Sequence, residues 1–296
     1  MQKSKVLVFG ANGQLGYDIT RVLESKGYNV LKPSSKELDI CDFKNVKGYI
    51  QENRPGFVIN CAAFHDANEC EKDIEKSYKI NTVAVGELAR ICSEIDSVFV
   101  HISTDYVFSG LNRNKPYTEE DIPDPLMVYG LSKLAGEMLI PNFTKRYYIF
   151  RVASLFGVKG PSRKAYNFVD LMLKLAGDGR DKVDVVNDQY MTPTHTLDVA
   201  ERLPEIITSN KFGLYHLTSE GQCTWFDFAK KIFKLSNINI KVNPVPTEHF
   251  PADFVRPKYT VLENKKYNLL FSNKMPLWED ALKRYLKLKK ENKNES

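Results

Sequence analysis

Tyr129 and Lys133 are two side chains whose types and spacing suit proton transfer. Residues four apart on a helix share one face, so a phenol and an ammonium at these positions can reach one substrate atom. The ordinary pKa of tyrosine is about 10, and a neighbouring ammonium lowers it by favouring phenolate. An amphipathic helix that exposes a lysine to solvent has the same spacing. The pair therefore predicts a catalytic site only if the chain supplies the other parts of one.

A glycine-rich turn near the start of the chain is the first of these parts. The segment GANGQLG follows the apolar run KVLVF and precedes a helical pattern. Glycines in such a turn let the backbone approach a pyrophosphate, which the N–H groups of the following helix can bind. A glycine-rich connection without a ligand is the alternative. The predicted cofactor contacts in this turn are Gly10, Asn12, Gly13, Gln14, Leu15 and Gly16.

The segment after the second apolar run bears on the choice of cofactor. A site for NAD commonly has an acid there, which binds the ribose 2′-hydroxyl. This chain instead has basic and hydroxyl residues, namely Lys32, Ser34, Ser35 and Lys36. Positive charge and hydroxyls suit a 2′-phosphate, so the sequence favours NADPH, with NADH as the alternative. The same residues also have a simpler interpretation as an exposed loop that meets only solvent.

A hydroxyl and an acid follow the apolar start of a later segment, VHISTDYVF. Thr104 and Asp105 stand where a parallel sheet presents side chains to a bound ligand, and a hydroxyl there can hydrogen-bond a substrate carbonyl. With the glycine turn upstream and Tyr129 and Lys133 downstream, the parts of a carbonyl reductase are present in one chain.

The elements that must position these residues follow from alternating apolar runs and helical patterns, which are typical of βαβ units. We predict an α/β fold with a Rossmann-type doubly wound parallel sheet and a smaller C-terminal α+β substrate lobe. The first helix should end at Gly27, and further helices are expected near 166–177, near 196–207 and from Trp225 to Leu235.

The predicted domain organisation has three parts. Residues 1–155 form the dinucleotide-binding domain, and strands and helices return to it from about 183–207. Residues 156–286 form mainly the substrate-binding lobe, in which the run GLYHLTS is placed. Residues 287–296 are expected to be a flexible tail.

Composition argues against several classes of protein. A net charge of +5 over 296 residues, with dispersed Lys and Arg, predicts no nucleic-acid partner. The five scattered cysteines have no zinc-ligand spacing, so we predict no metal and a reducing, cytoplasmic setting. No stretch approaches the roughly 20 apolar residues of a membrane span.

The motifs together resemble a known family, the extended short-chain dehydrogenases/reductases, and within them the dTDP-4-dehydrorhamnose reductases. The resemblance covers nearly the whole chain, through GANGQLG, NCAAF, STDYVFSG, YGLSKLAGE, NDQYMTPT and RPKYTVL. It implies an NADPH-dependent reductase of a nucleotide-linked 4-keto-6-deoxy sugar, acting as a monomer or homodimer. By this resemblance Thr104, Tyr129 and Lys133 are catalytic, Asp39 and Ile40 flank the adenine, and Ala62, Ala63 and Phe64 line the cofactor.

Several positions bear on which reaction the chain catalyses and which sugar it accepts. Tyr106 stands where nucleotide-sugar dehydratases typically have an acid, which disfavours dehydration. Thr104, Asp105, Tyr129 and Ser154 are the expected substrate contacts. Ser154 stands where these reductases commonly have a tryptophan, which predicts a roomier sugar site unless Leu155 or Phe156 fills the gap.

Other readings of the resemblance stay open. Asn81 resembles a family asparagine that relays protons toward the lysine, and a core-facing amide is the alternative. The chain could be a non-catalytic regulatory subunit, like the methionine adenosyltransferase β subunit, or another nucleotide-sugar reductase or epimerase. The intact set of Thr104, Tyr129 and Lys133 favours the reductase.

Overall fold

The computed structural model describes residues 4–160 and 166–294. Residues 161–165, within the Gly/Pro/Lys segment that follows the first predicted domain, lie outside the described residues. The strands are β1 Lys5–Phe9, β2 Asn29–Leu31, β3 Phe57–Asn60, β4 Val98–Thr104, β5 Tyr147–Val152, β6 Leu155–Phe156, β7 Lys182–Val186, β8 Tyr190–Met191, β9 Thr194–His195, β10 Gly213–His216, β11 Cys223–Thr224 and β12 Lys241–Val245.

Helices connect these strands and cover the central sheet. They are α1 Gln14–Ser25, α2 Phe43–Asn53, α3 Ala67–Lys72, α4 Ile74–Tyr78, α5 Ala84–Glu94, α6 Val128–Phe143, α7 Phe168–Gly177, α8 Thr196–Ile207, α9 Trp225–Ser236, α10 Lys265–Leu270 and α11 Trp278–Asn294. A π-helical turn, Lys79–Val83, joins α4 to α5, and short 3₁₀ turns lie at Asp105–Val107 and Thr247–His249.

The main sheet is parallel throughout, in the order β10-β5-β4-β3-β1-β2. The chain winds in one direction from β1 through β3, β4, β5 and β10, and β2 lies on the other side of β1. Ligands bind outside the carboxyl ends of the strands near such a reversal. The predicted Rossmann-type doubly wound sheet is confirmed, with small two-stranded sheets in the C-terminal part.

Both faces of this sheet are buried, as β1 illustrates. Val6 and Val8 belong to the core beneath α1 and α8, whereas Leu7 and Phe9 belong to the core beneath α2 and α5. Alternate side chains of a strand point to opposite faces, so an uninterrupted apolar run is what a doubly covered strand requires. Burial on both sides fixes the carboxyl end of β1, from which the glycine turn departs.

The helices predicted from periodicity are present at close to their expected bounds. α1 ends at Ser25, and Gly27 follows with φ +79°, a left-handed conformation that glycine adopts without strain. The helices expected near 166–177, near 196–207 and at Trp225–Leu235 are α7, α8 and α9.

Two strands pair differently from the prediction. β10, from the run GLYHLTS, joins the main sheet beside β5 rather than the smaller lobe. β7, within the segment expected to return to the first domain, pairs with β12 in the C-terminal part. Each run is short, and the pattern of a short strand does not show which sheet it joins. α8 does return, and packs against α1.

The end of the chain also differs from the prediction. α11 continues through Asn294, where a flexible tail was expected from residue 287. Its first turns bury Trp278, Leu282 and Tyr285 in the C-terminal core, so the helix is already nucleated when the polar stretch begins. Lys, Glu and Leu are good helix formers, which lets the helix continue without burying further apolar side chains. No helix in the described ranges is both long enough and apolar enough to cross a lipid bilayer.

Candidate active site

α6 brings Tyr129 and Lys133 against the carboxyl end of β4. Two glycines in this helix permit the close approach. A Cβ at Gly130 would overlap the carbonyl oxygen of Tyr106, and a Cβ at Gly136 would overlap that of Asn81. The spacing YGLSKLAGE therefore places the candidate catalytic side chains on one face and closely packed glycines against the neighbouring elements.

Thr104, Asp105 and Tyr129 meet where β4 ends. The Thr104 hydroxyl donates to Asp105 Oδ1 at 3.1 Å and accepts the Tyr106 N–H at 3.2 Å. Burial raises the pKa of Tyr129 well above its usual 10, and a hydrogen bond with Thr104 opposes part of that rise. Without a ligand, Tyr129 is therefore a fully protonated phenol at neutral pH. That is the form in which it can donate a proton.

Asp105 is a buried carboxyl with an unused acceptor. Burial raises its pKa to about 6, with hydrogen bonds from neighbouring hydroxyls acting in the opposite direction. Its Oδ2 atom is buried and has no hydrogen-bond partner. A buried acceptor left unpaired is costly, so this atom is ready to receive a donor from a bound molecule.

Lys133 is almost completely buried, with 1% of its surface exposed. Its Nζ donates to the carbonyl oxygen of Ile102 at 2.6 Å and lies 2.9 Å from His101 Nε2. Burial lowers the pKa of Lys133 to about 8, while the negative charge of Glu137 partly opposes this. A lysine with so low a pKa exchanges its proton near neutral pH far more readily than an exposed lysine does.

A second set of contacts lies one helical turn further along α6. Glu137 pairs with Arg151 through a hydrogen bond of 2.6 Å and accepts another from the Ser103 hydroxyl. Both charged side chains are 4% exposed. Arg151 lies on β5, in register with Ser103 on β4. This ion pair fixes α6 relative to the two strands that carry the candidate site.

Sequence reasoning missed His101 and Glu137, although a signal for them exists. His101 and Ser103 are two apart on a strand and therefore point to one face, while Lys133 and Glu137 are four apart on a helix. His101 meets Lys133, and Ser103 meets Glu137. A polar i, i+2 pair on a strand, matched by charged residues at i, i+4 on the helix that covers it, predicts such a double contact.

The glycine turn has the geometry that a dinucleotide cofactor needs. Gly10 has φ +73° and packs against the backbone of Ala62, and a Cβ at Gly16 would overlap the carbonyl of Gly10. Gly13 is the N-cap of α1, provides no side-chain cap, and no acid follows in the first turn. The first N–H groups of α1 are therefore left for an anion such as a pyrophosphate. These residues fit the predicted cofactor.

Ala62, Ala63 and Phe64 follow β3, across from the glycine turn. The Ala62 N–H donates to Asn60 Oδ1 at 3.0 Å. Asn81 accepts the Phe64 N–H and donates to the Phe64 carbonyl, both at 2.9 Å, and also donates to the Ser132 hydroxyl. The side chain of Asn81 thus fixes this loop, as the core-facing alternative expects, and its contact on α6 is Ser132 rather than Lys133.

The loop after β2 is organised by ion pairs and hydrogen bonds of its own. Lys32 Nζ lies 2.5 Å from Glu24 Oε1, and Glu37 accepts the Ser34 N–H at 2.7 Å. Asp39 accepts the Cys41 N–H at 2.9 Å, and the Ile40 side chain is buried. The Lys32 ammonium is half-exposed and already paired, so a 2′-phosphate would have to share it with Glu24 or replace that partner.

Ser154 follows β5 and has φ +43°, an uncommon conformation for a residue with a side chain. Its carbonyl accepts the Thr194 N–H at 3.2 Å, which fixes the bend. Phe156 is buried in the C-terminal core, so it does not fill the place of the expected tryptophan. Leu155 is part-buried beside the main-sheet core. Contact between Ser154 and a sugar stays a prediction.

Two other features bear on the site. The Tyr106 ring meets the Tyr129 ring edge-on, with centroids 6.2 Å apart, and burial raises the pKa of Tyr106 to about 12. In the part of the chain that is described, no three His, Cys, Asp or Glu side chains converge as a metal site would need.

The parallel sheet and the glycine turn after β1 give the chain a fold of the short-chain dehydrogenase/reductase type. Thr104, Tyr129 and Lys133 lie together at the end of β4. The chain belongs to the RmlD substrate-binding domain family, whose model matches residues 4–290.

Relatives of known name extend over nearly the whole chain. The spore coat polysaccharide biosynthesis protein SpsK of Bacillus subtilis is 38% identical over 283 residues, which are 96% of this chain and 97% of that protein. The dTDP-4-keto-6-deoxy-D-glucose reductase of Streptomyces niveus is 34% identical over 281 residues, 93% of this chain and 94% of that protein. The crystal structure of Bacillus anthracis dTDP-4-dehydrorhamnose reductase in complex with NADP has 36% identity and a TM-score of 0.90, covering 96% of this chain and 99% of that one.

Proposed function

We propose that the protein is an NADPH-dependent reductase of a nucleotide-linked 4-keto-6-deoxy sugar, with dTDP-4-dehydrorhamnose as the first candidate substrate. The observation that carries the proposal is the meeting of Thr104, Tyr129 and Lys133 at the carboxyl end of β4. The relative solved with NADP supports the cofactor, and the names of the reductase relatives support the substrate class.

Different residues of the chain have different roles in a carbonyl reduction. NADPH, held by the glycine turn and by the loop after β3, supplies hydride when it is bound. Thr104 orients the sugar carbonyl through its hydroxyl. Tyr129 gives its phenolic proton to the carbonyl oxygen, and a positioned acid of this kind contributes about 10²–10⁴-fold to the rate. Lys133 holds a positive charge near the phenol, which favours the phenolate left behind.

The sugar is expected to lie between β4 and the bend after β5. Asp105 Oδ2 has no hydrogen-bond partner within the protein, so we expect it to accept a hydrogen bond from a sugar hydroxyl. Ser154 adds a hydroxyl and little bulk. We therefore expect the site to accept sugars that are larger or more polar than one enclosed by an indole would allow.

The relatives carry more than one substrate name, which is why the sugar itself is part of the proposal. Two are named for different 4-keto-6-deoxy sugar nucleotides, and a third for spore coat polysaccharide biosynthesis. A regulatory subunit without catalysis is the second candidate. Burial lowers the pKa of Lys133 to about 8, and groups with strongly shifted pKa values cluster at functional sites, which argues for catalysis.

The test is reduction by the purified protein with NADPH and with NADH, followed by the absorbance of the reduced cofactor. dTDP-4-dehydrorhamnose and other 4-keto sugar nucleotides should be compared by kcat/KM. Tyr129→Phe should bind the cofactor normally and lose about 10²–10⁴-fold in kcat. Tyr147→Phe on β5 is the matched control, with unchanged turnover. A Tyr129→Phe enzyme of near-native rate would contradict the assignment, and binding without turnover of any sugar would favour the regulatory subunit.

A further inference from the structure

His101 is a partner of Lys133 that the proposed reaction does not use. It is fully buried on β4, and its Nε2 atom lies 2.9 Å from Lys133 Nζ. Its other ring nitrogen, Nδ1, lies 3.3 Å from Asn60 Nδ2. A neutral imidazole has one N–H donor and one acceptor nitrogen. The proton of His101 can therefore face Lys133 or Asn60, but not both.

The Asn60 amide has only one orientation that satisfies its surroundings. Asn60 Oδ1 accepts the backbone N–H of Ala62 at 3.0 Å. Turning the amide over would set its NH₂ group against that N–H, and neither group can accept. The amide NH₂ of Asn60 consequently faces His101 Nδ1. That nitrogen is satisfied only when it accepts a hydrogen bond.

Lys133 and His101 can therefore hold their protons in two patterns. The two patterns differ in whether the ring nitrogens of His101 have hydrogen-bond partners. When Lys133 is a neutral amine, His101 Nε2–H donates to it, His101 Nδ1 accepts from Asn60, and both ring nitrogens of His101 are paired. When Lys133 is an ammonium, it donates to His101 Nε2, and the His101 proton on Nδ1 faces the Asn60 NH₂ group. Two donors then oppose each other in a buried place, which is unfavourable.

We propose that Asn60 and His101 are positioning residues that weaken the hold of Lys133 on its proton, by stabilising its neutral amine through the Nε2–H tautomer of His101. The inference rests on the proposed function, in which Lys133 supports Tyr129. On passing from one pattern to the other, the pair loses one proton to water and the imidazole stays neutral. This effect acts in the same direction as burial, which lowers the pKa of Lys133 to about 8.

The other groups around Lys133 do not supply this effect. On α6, Glu137 faces it but is neutralised by Arg151 from β5. After β3, Cys61 faces it as a neutral thiol, because burial raises the pKa of that thiol to about 12. Tyr129, on its own helix, is a neutral phenol because burial raises its pKa.

His101 itself does not become charged in either pattern. Burial and the charge of Lys133 hold the pKa of His101 well below 6.5. The tautomer of a neutral imidazole is therefore what changes with pH. This property gives the inference a readout of its own.

The test is the tautomer of His101, observed by long-range ¹H–¹⁵N NMR of the ¹⁵N-labelled protein from pH 6 to 9.5. The chain has 5 histidines, and His101→Gln identifies the signals of interest. His101 should change from the Nδ1–H to the Nε2–H tautomer with a midpoint near the Lys133 pKa of about 8. His216 is an internal control: its Nδ1 lies 3.1 Å from the Tyr117 and Glu263 carbonyls, so it keeps Nδ1–H at every pH.

Asn60→Leu removes the opposing NH₂ group without adding charge. It should raise the midpoint by about one pH unit, because it removes the hydrogen bond to His101 Nδ1 that favours the neutral amine. The alkaline limb of kcat should move with it. Asn243→Leu, on β12, is the matched control and should move neither. A loss of packing alone would lower kcat without shifting either midpoint.

Two results would overturn the inference. One is the observation that His101 of the wild-type protein keeps the Nδ1–H tautomer over the whole pH range. This result would contradict the inference even if the Asn60→Leu protein does not fold. The other is an unchanged midpoint in a folded Asn60→Leu protein. Because the tautomer is measured without substrate, a protein that reduces no sugar nucleotide contradicts the proposed function and still leaves this measurement decisive.

Discussion

Glu137 brings a negative charge into the interior beside the candidate site, where Arg151 and Ser103 satisfy it. A buried ion pair of this kind adds little to stability as a pair, yet removing one partner leaves an unpaired charge in a medium that solvates it poorly. Arg151 also lies 5.1 Å from the Phe108 ring, so its position depends on several neighbours at once.

Glu137→Gln should therefore destabilise the protein by about 3–5 kcal/mol, because the Arg151 guanidinium stays buried without its counter-charge. Urea unfolding followed by circular dichroism measures this loss. Lys174→Gln, which removes an exposed ion pair with Asp178, should change the unfolding midpoint very little. Equal effects from the two variants would contradict the importance given to burial here.

Asp105 links the site to the stability of the protein through its raised pKa. The folded protein holds this pKa at about 6, mainly through burial, against 3.8 for an unperturbed aspartate. The folded state thus binds the proton more tightly than the unfolded state does. The stabilising contribution of the protonated group is complete below pH 3.8 and is lost as the pH rises through 6.

Asp105→Asn should consequently stabilise the protein at pH 7, by up to about 3 kcal/mol, because it removes the cost of a buried carboxylate. The gain should shrink toward pH 4, where the folded protein holds the aspartate in its protonated form and no longer buries a carboxylate. Thermal unfolding of both proteins across this pH range provides the measurement. A gain that is the same at pH 4 and pH 7 would show that the carboxylate charge is not its cause.

At the scale of elements, the junction of β1 and α1 depends on contacts that leave no room for a side chain. Gly16 is in the first turn of α1, where its backbone packs against the carbonyl of Gly10. The turn and the start of the helix therefore hold each other in place. This packing sets the direction in which the free N–H groups of α1 point, toward the proposed anion site.

Gly16→Ala should abolish measurable cofactor binding by forcing the turn and α1 apart. Titration of the protein with NADPH, followed by cofactor fluorescence, would detect the loss. Gly48→Ala is the control, because Gly48 lies within α2 and a Cβ there meets nothing within 4 Å. It should bind normally and be slightly more stable, since alanine is the better helix former. A Gly16→Ala protein that binds NADPH tightly would exclude the proposed anion site.

We predict that the cofactor preference depends on the loop after β2. Lys32→Asp combined with Lys36→Ala should move the ratio of kcat/KM for NADPH over NADH toward NADH, by removing attraction for the 2′-phosphate. Glu24→Gln is the converse control: freeing Lys32 from its partner should strengthen the preference for NADPH. If neither variant changes the ratio, the phosphate binds elsewhere.

Across the whole molecule, the sequence predicts most reliably what is local. α1 and Gly27 follow from periodicity and from the left-handed tolerance of glycine, and the meeting of Tyr129 with the end of β4 follows from the order of the motifs. The exchange of β7 and β10 between sheets could not be predicted in this way. Strand partners are chosen by contacts between residues far apart in the chain, and a short apolar run satisfies either sheet.

The two site residues that the sequence analysis missed, His101 and Glu137, have a similar explanation. His101 and Glu137 become meaningful only when the register of β4 against α6 is known, because each acts through a residue about 30 positions away in the chain. Their polar character in otherwise apolar surroundings is visible in the sequence. Their partners are not, and a partner is what separates a buried functional group from a residue on a solvated face.

The π turn Lys79–Val83 lets a single helical segment pack against two separate hydrophobic cores. Before it, Tyr78 packs around Phe64 and Val128, and after it, Val85 and Leu88 pack on the main sheet. A π turn holds one residue more than an α-helical turn, so the side chains that follow are rotated by about 100°. Removing one residue here would keep the segment helical and turn Val85 and Leu88 away from the sheet. In an alignment, a one-residue gap at this place would therefore mark a changed packing of α5 on the sheet rather than a neutral difference in length.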